Sequence, residues 1–438
     1  MSRFCSSVTC LLTFVITSIS VAQSAADAEK FWPQWRGPDG TGVSKLAKPP
    51  AEWSETKNIR WKKEIAGRGA GTPVIWGDAV FVSTAVPVGV TDAEAHAARG
   101  NAPGIHKYVV MALSRKDGRV IWERVVREDT PHEASHQEWG TWASPSIVTD
   151  GTNVIASFES RGIYAFDMKG TPVWQKDLGD KTMRNQFGEG SSPALHGNTL
   201  VVVWDHQGQS FIVALDKRTG EERWRTARDE IDSWATPLVV ESGGRAQVVT
   251  SGMKQVRSYD LETGKIVWYG AGTTMNPIPS PVAADGMVIL TAGFRGNDLK
   301  AINLANAKGD ITNTPALVWT LNRDTPYVPS PLLYDGILYL LKSNNGILSV
   351  FDAKSGKPFY QLTRLEAAPN IFASPVGAAG RVYFPSQDGT TVVLKHGPAF
   401  EVLAQNKLDD GFNASPALVD NELYLRGYKA LYCVAEKN

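Results

Sequence analysis

The chain has little cysteine and no excess of either charge. Its only cysteines are Cys5, Cys10 and Cys433. Two of them fall in a leader-like N-terminus, so a mature chain would keep only Cys433 and no internal disulfide framework. Adjacent cysteines and a Cys-x-x-Cys-His haem attachment are both missing. Lys plus Arg and Asp plus Glu balance at 45 each. That balance argues against a nucleic-acid partner or an anionic membrane surface. Beyond the N-terminus no apolar run is long enough to span a bilayer. No glycine-rich phosphate loop sits between a strand and a helix. Gly190-Ser191-Ser192-Pro193 lacks the following helix that a nucleophile elbow needs.

The N-terminus carries an export pattern. Arg3 gives a positive start, Leu11 to Ala22 is a short apolar core, and Ser20 and Ala22 form a small-x-small cleavage site. Residues 1–22 are expected to be a Sec-type signal peptide, leaving 23–438 as one domain. No cysteine follows the apolar core, so a lipoprotein anchor is not expected. The destination is then the periplasm or the exterior, with a monomer as the expected state.

Glycine and proline are plentiful, at 40 and 25, as tight turns require. A Ser/Thr-Pro dipeptide recurs at Pro73, Pro145, Pro193, Pro237, Pro281, Pro331, Pro375 and Pro416. Successive differences are 72, 48, 44, 44, 50, 44 and 41 residues. Each unit reads as four strands. In the third, Pro193-Ala194-Leu195 opens a strand, Leu200 to Trp204 is an apolar second, and Phe211 to Leu215 is a third. Asp216-Lys217-Arg218-Thr219-Gly220 turns into a fourth at Glu222-Arg223-Trp224. The turn recurs at Asp260 to Trp268, and more weakly at Asp352 to Tyr360. Trp122, Trp174 and Trp319 hold the tryptophan's place elsewhere. Four strands in about 40–50 residues is the period of a propeller blade. The last unit has only three strands. An orphan strand, Ile59-Arg60-Trp61-Lys62-Lys63, can complete it and remove the exposed edge. The expected fold is all-β, an eight-bladed β-propeller of four-stranded antiparallel blades, closed by the N-terminal strand in the last blade.

The Asp-x-x-Thr-Gly-x-x-x-Trp turns resemble the tryptophan-docking motif of the PQQ-like β-propellers, in the quinoprotein alcohol dehydrogenase-like superfamily. The opening Trp32-Pro33-Gln34-Trp35-Arg36-Gly37-Pro38-Asp39-Gly40-Thr41-Gly42 resembles the start of a bacterial subfamily of such proteins. The likeness covers the whole mature chain. It implies the fold firmly and the function only broadly, because the family holds quinoprotein dehydrogenases, sensors and non-enzymatic scaffolds. The best-known scaffold relative helps assemble outer-membrane proteins.

Strand direction sorts candidate site residues. Segments entering strand one, and turns between strands two and three, share one face. That face carries Trp142, Arg184, Asn185, Glu189, Asp205, Trp234, Asn276, Arg295, Asp324, Tyr327, Asn370, Asp388, Asp410 and Arg426. Charges and aromatics around a channel suit a polar ligand or a protein. A long insert in blade one, 85–107, falls on the same face and is expected to form a flap beside the mouth. His132-Glu133-Ala134-Ser135-His136 matches the zincin pattern, but Pro131 and Gly140 place it in a loop rather than on a helix. His96 and His106 are on the same face and could join His132 and His136 around a metal.

The favoured reading is an exported scaffold that binds a ligand or protein through one channel face, without catalysis or cofactor. A second reading is a dehydrogenase that uses PQQ and Ca²⁺ to oxidise alcohols or sugars. Glu189, Asn276, Asp324 and Asp388 are its candidate Ca²⁺ oxygens, and Trp234 or Trp142 its stacking surface. A third is a metal-dependent hydrolase at the His132–His136 loop. Sequencing the N-terminus of the mature chain tests the leader, with a start at Gln23 expected. Retention of Met1 to Ala22 in the exported protein would sink the signal-peptide assignment.

Overall fold

A computed structural model of the chain describes residues 27–97, 103–136 and 140–436, with the side chains of His96 and Ala97 left out. The predicted leader 1–22 lies outside the described residues. Eight sheets form a ring, and each is built on four antiparallel strands. Blade one runs from Val74–Trp76 to Val120–Asp129, and blade three from Ala194–His196 to Glu222–Ala227. Blade eight joins Ala417–Val419, Glu422–Arg426 and Ala430–Ala435 to the N-terminal strand Ile59–Glu64. In that pair Trp61 faces Cys433 and Glu64 faces Ala430. The expected closure is therefore the observed one. Arg60 and Arg115 both engage Glu422, tying the closing strand, blade eight and blade one together.

The second and third strands of each blade are sandwiched between neighbouring blades, so both faces must be apolar. Thr199–Trp204 and Phe211–Asp216 are buried along their whole length. Outer strands alternate instead, as in Glu222–Ala227.

The Ser/Thr-Pro repeat has a structural cause. The backbone N–H of each inner residue donates to the hydroxyl of the next blade. Thr72 donates to Ser146, Ser146 to Ser192, and Ser192 to Thr236. The series runs on through Ser280, Ser330, Ser374 and Ser415. The Thr72 hydroxyl then donates to the Ser415 carbonyl at 3.0 Å and closes the circle. One register differs from the sequence reading. In blade two the ring hydroxyl belongs to Ser146, not to Ser144 before Pro145. Ile147 takes the place held by proline elsewhere.

A second circle links the outer strands. The indole N–H groups of Trp61, Trp122, Trp174, Trp224 and Trp319 each donate to a carbonyl in the next blade's turn. The turn glycine lies flat on the indole. A Cβ on Gly264, at φ +69°, would come within 2.4 Å of the Trp224 ring. Trp268 breaks the pattern, because blade five has Leu304–Asn306 in place of the turn. Its indole nitrogen is buried without a partner among the described residues, and the added strand Gly309–Asp310 pairs alongside it.

This geometry yields a paired prediction. Gly264→Ala and Gly286→Ala both place a side chain at positive φ, which costs about 1–2 kcal/mol. Only the Gly264 methyl strikes an indole, whereas nothing lies within 4 Å at Gly286. Overpacking adds roughly 1–3 kcal/mol at Gly264. Denaturant titration is expected to rank Gly264→Ala as clearly the less stable. Equal midpoints would refute the docking role of the glycine.

Candidate functional site: the channel and its walls

The channel is closed at one end by the chain itself. Residues 32–43 cross beneath the ring. Trp32 bridges to Ile75, and Val43 to Gly377. Thr149 N–H donates to the Pro33 carbonyl, and Leu195 N–H to the Gln34 side chain. Arg36 is buried at this end. Its Nη1 donates to the Pro375 carbonyl at 2.6 Å and its Nη2 to the Pro331 carbonyl at 2.7 Å. The Trp35 indole N–H donates to the Ser280 hydroxyl, so its ring floors the channel.

Above this floor is a cavity of about 190 Å³. Ring hydroxyls form its lower wall, and Phe187, Trp234, Tyr327, Phe372 and His136 its upper wall. Glu189 and Asn276 are the predicted polar residues that reach it. Asn276 has a positive φ of 51° and is almost fully buried, and its amide lies against the Tyr327 hydroxyl. Tyr327 stacks on Phe294 with centroids 4.8 Å apart. The Trp234 indole donates to the Gly188 carbonyl at 2.7 Å, which fixes the ring against the wall.

The other predicted residues go elsewhere. Asp205 is wholly buried in a two-pronged pair with Arg228, at 2.6 and 2.9 Å. Arg184 pairs with Asp232, Asp324 with Lys342, and Asp388 with Lys407. Asp410 accepts from the N–H groups of Gly411, Tyr428, Lys429 and Ala430, and folds its own turn. Asn185, Arg295 and Asn370 are exposed on the rim. Trp142 packs on His106 at 4.3 Å, outside the central cavity. Arg426 lines a side pocket. Trp35 and Phe187 were not foreseen as lining residues, since no local signal places a plug or a loop ring.

The His132–His136 segment is a loop between the outer strand of blade one and the inner strand of blade two, as expected. His132 faces Asp180 at 3.3 Å, and His136 packs on Phe187. His106 Nδ1 is 2.8 Å from the Gly104 carbonyl. Among the described residues, no three His, Cys, Asp or Glu side chains gather as metal ligands would. The side chain of His96 is outside the described set. The insert extends the strands to Ala79–Pro87 and His106–Ser114, with a short helix at Asp92–Ala97. Asp92 accepts the Gly67 N–H, and no described residue of the insert lines the central cavity.

Three glutamates meet between blades two and three. Glu133, Glu159 and Glu189 line one pocket beside Arg161 and Tyr108. Glu159 is paired with buried Lys181 at 2.6 Å. Burial, and then the neighbouring Glu159, push the Glu189 carboxyl up to about 8. Burial raises Glu133 to about 7.

Residues 51–209 and 159–310 match the family model described as outer membrane protein assembly factor BamB. The chain belongs to this family. The BamB of Yersinia pestis is 22% identical over 367 residues, covering 78% of this chain and 85% of that protein. The crystal structure of BamB from Moraxella catarrhalis superposes with a TM-score of 0.58 at 13% identity, over 85% of this chain and 98% of that one. The quinohemoprotein alcohol dehydrogenase of Comamonas testosteroni superposes with a TM-score of 0.64, also at 13% identity, over 95% of this chain and 84% of that one. At such identities the structural likenesses establish the eight-bladed fold. They do not bring the dehydrogenase's chemistry with them. The residues present also fit a Ca²⁺–quinone pair poorly. Glu189 and Asn276 reach the cavity, while Asp324 and Asp388 are taken up by lysines outside it.

The raised glutamates give a signed pH dependence. A carboxyl whose folded pKa lies above its unfolded value favours folding at low pH, and that advantage fades as pH rises through the folded value. Stability should therefore fall between about pH 4.5, the ordinary glutamate range, and about pH 8. Melting temperatures across this window should decline less in Glu189→Gln than in wild type. Parallel curves would show that Glu189 titrates normally.

Proposed function

We propose that the protein is an exported, non-catalytic scaffold of the cell envelope that grips a protein partner through the open end of its channel. The observation that carries this reading is the one-ended channel. Its own segment 32–43 closes one end, while an aromatic-rimmed cavity of about 190 Å³ opens at the other. Aromatic side chains held by wall hydrogen bonds supply large contact area at small entropic cost. Trp234 is anchored in this way, and Tyr327 is anchored by stacking. Membership of a family named for outer-membrane protein assembly supports a protein as the occupant. The leader read at residues 1–22 supports placement in the periplasm or beyond. No helix among the described residues is long and apolar enough to cross a membrane.

Photo-crosslinking tests the face. A benzoylphenylalanine replacing Tyr327 should capture a discrete envelope protein in cells. The same probe replacing Phe359, on an outer strand, should not. Trp234→Ala should cut the adduct by roughly tenfold or more, as expected for a binding hot spot. Equal labelling from both positions would refute the assignment. So would alcohol- or sugar-dependent dye reduction after addition of PQQ and Ca²⁺.

A further inference from the structure

The central cavity carries a chemistry that the fold itself does not use. Trp35, Phe187, Trp234, Tyr327 and Phe372 line it. Glu189 is the sole carboxylate among its described lining residues, and these include no lysine or arginine. The indole N–H groups of Trp35 and Trp234 are spent on Ser280 and Gly188. What these rings leave to a ligand is π surface, whose faces are negative and attract cations. The volume of about 190 Å³ matches roughly six waters, at about 30 Å³ each in the liquid. A compact group fits, rather than a large one.

Glu189 has no counter-ion of its own among the described residues. One of its oxygens accepts the Ser160 N–H at 3.0 Å. The two cations beside the glutamate cluster are engaged elsewhere. Lys181 holds Glu159 at 2.6 Å, and Arg161 holds Asp180 at 3.1 Å. Glu159 adds like charge next to Glu189, and burial strips water from it. A carboxylate in such a wall gains strongly from a cation brought alongside.

We propose that the cavity binds a small organic ammonium group, seated against its aromatic rings with Glu189 as the counter-ion. Aromatic walls and one carboxylate are the recurring requirements for holding such a cation. A bare metal ion needs several oxygen or nitrogen ligands instead, and no three ligating side chains gather among the described residues. An anion would meet Glu189 in a wall without lysine or arginine. A neutral sugar would find the ring hydroxyls but leave Glu189 without a counter-ion. Two sources carry the ammonium group, a free small cation and the tip of a lysine on a docked protein. The site does not rest on the scaffold reading.

Calorimetric titration of the full mature chain at about pH 9 is the test, because Glu189, pushed up to about 8, is ionised there. The probes are choline, its uncharged isostere dimethylbutanol, a short lysine-containing peptide and glucose. Wild type should bind the better of the two cations saturably, with a stoichiometry near one. Dimethylbutanol should bind roughly tenfold or more weakly. Glu189→Gln keeps the shape and removes the charge. It should weaken the cation roughly tenfold or more, as for a charge a few ångströms away in a partly buried wall. Its binding of dimethylbutanol should not change, which shows that the cavity is intact. Trp234→Leu should weaken the cation roughly 2- to 30-fold, the range for one cation–aromatic contact. A preference for choline assigns a free small cation, and a preference for the peptide a lysine of a partner. The proposal fails if neither cation binds, if dimethylbutanol or glucose binds as tightly as the better cation, or if Glu189→Gln binds that cation like wild type.

Discussion

Every blade depends on the hydrogen bond that its inner strand makes to the next blade. A single four-stranded sheet cannot bury both its faces, so stability belongs to the stacked ring rather than to any unit. The hydroxyls from Thr72 to Ser415 supply one polar link per interface in a region otherwise sealed by apolar side chains. The outer indoles repeat the linkage at the periphery. Together they fix the spacing and tilt of neighbouring blades at two radii. The diameter of the channel follows from that spacing.

The architecture was legible because these links recur in sequence. A hydroxyl before proline and a tryptophan after an Asp-x-x-Thr-Gly turn both answer to contacts that recur around the ring, the hydroxyl link at all eight interfaces and the indole link at five of them. The departures were less visible for the same reason. Ser146 replaces Ser144 because the ring needs a hydroxyl at one radius, and proline only accompanies it. Trp268 loses its carbonyl because the neighbouring turn is rebuilt, which no residue in its own blade reveals.

The site was legible in part. Strand direction nominated Trp234, Asn276, Tyr327 and Glu189, and these line the cavity. It also nominated Asp205, Asp324 and Asp388, which share the face but turn to nearby cations. Position along a strand sets which end of the ring a residue occupies. Its electrostatic partner sets where the side chain points, and partners come from other blades. Trp35 shows the same limit from the other side. It becomes a floor only because residues 32–43 pass under the inner strands of blades one, two, three, five, six and seven. Arg426 is the reverse of Asp205, a buried guanidinium on the expected face whose nitrogens meet no hydrogen-bond partner among the described residues.

The closing strand also sets an order in time. Ile59–Glu64 is among the first segments of the domain to be synthesised, and its partner Ala430–Ala435 is among the last. Contacts so distant in sequence carry a high loop-closure cost and form late. The first-made strand must therefore wait, unpaired, for nearly the whole chain. A truncated molecule leaves Ile59–Glu64 without its neighbour, while in the finished one that strand covers the edge of Ala430–Ala435. Closure of the ring thus waits on Ala430–Ala435, and a chain of this design holds a complete eighth blade only once that strand has arrived.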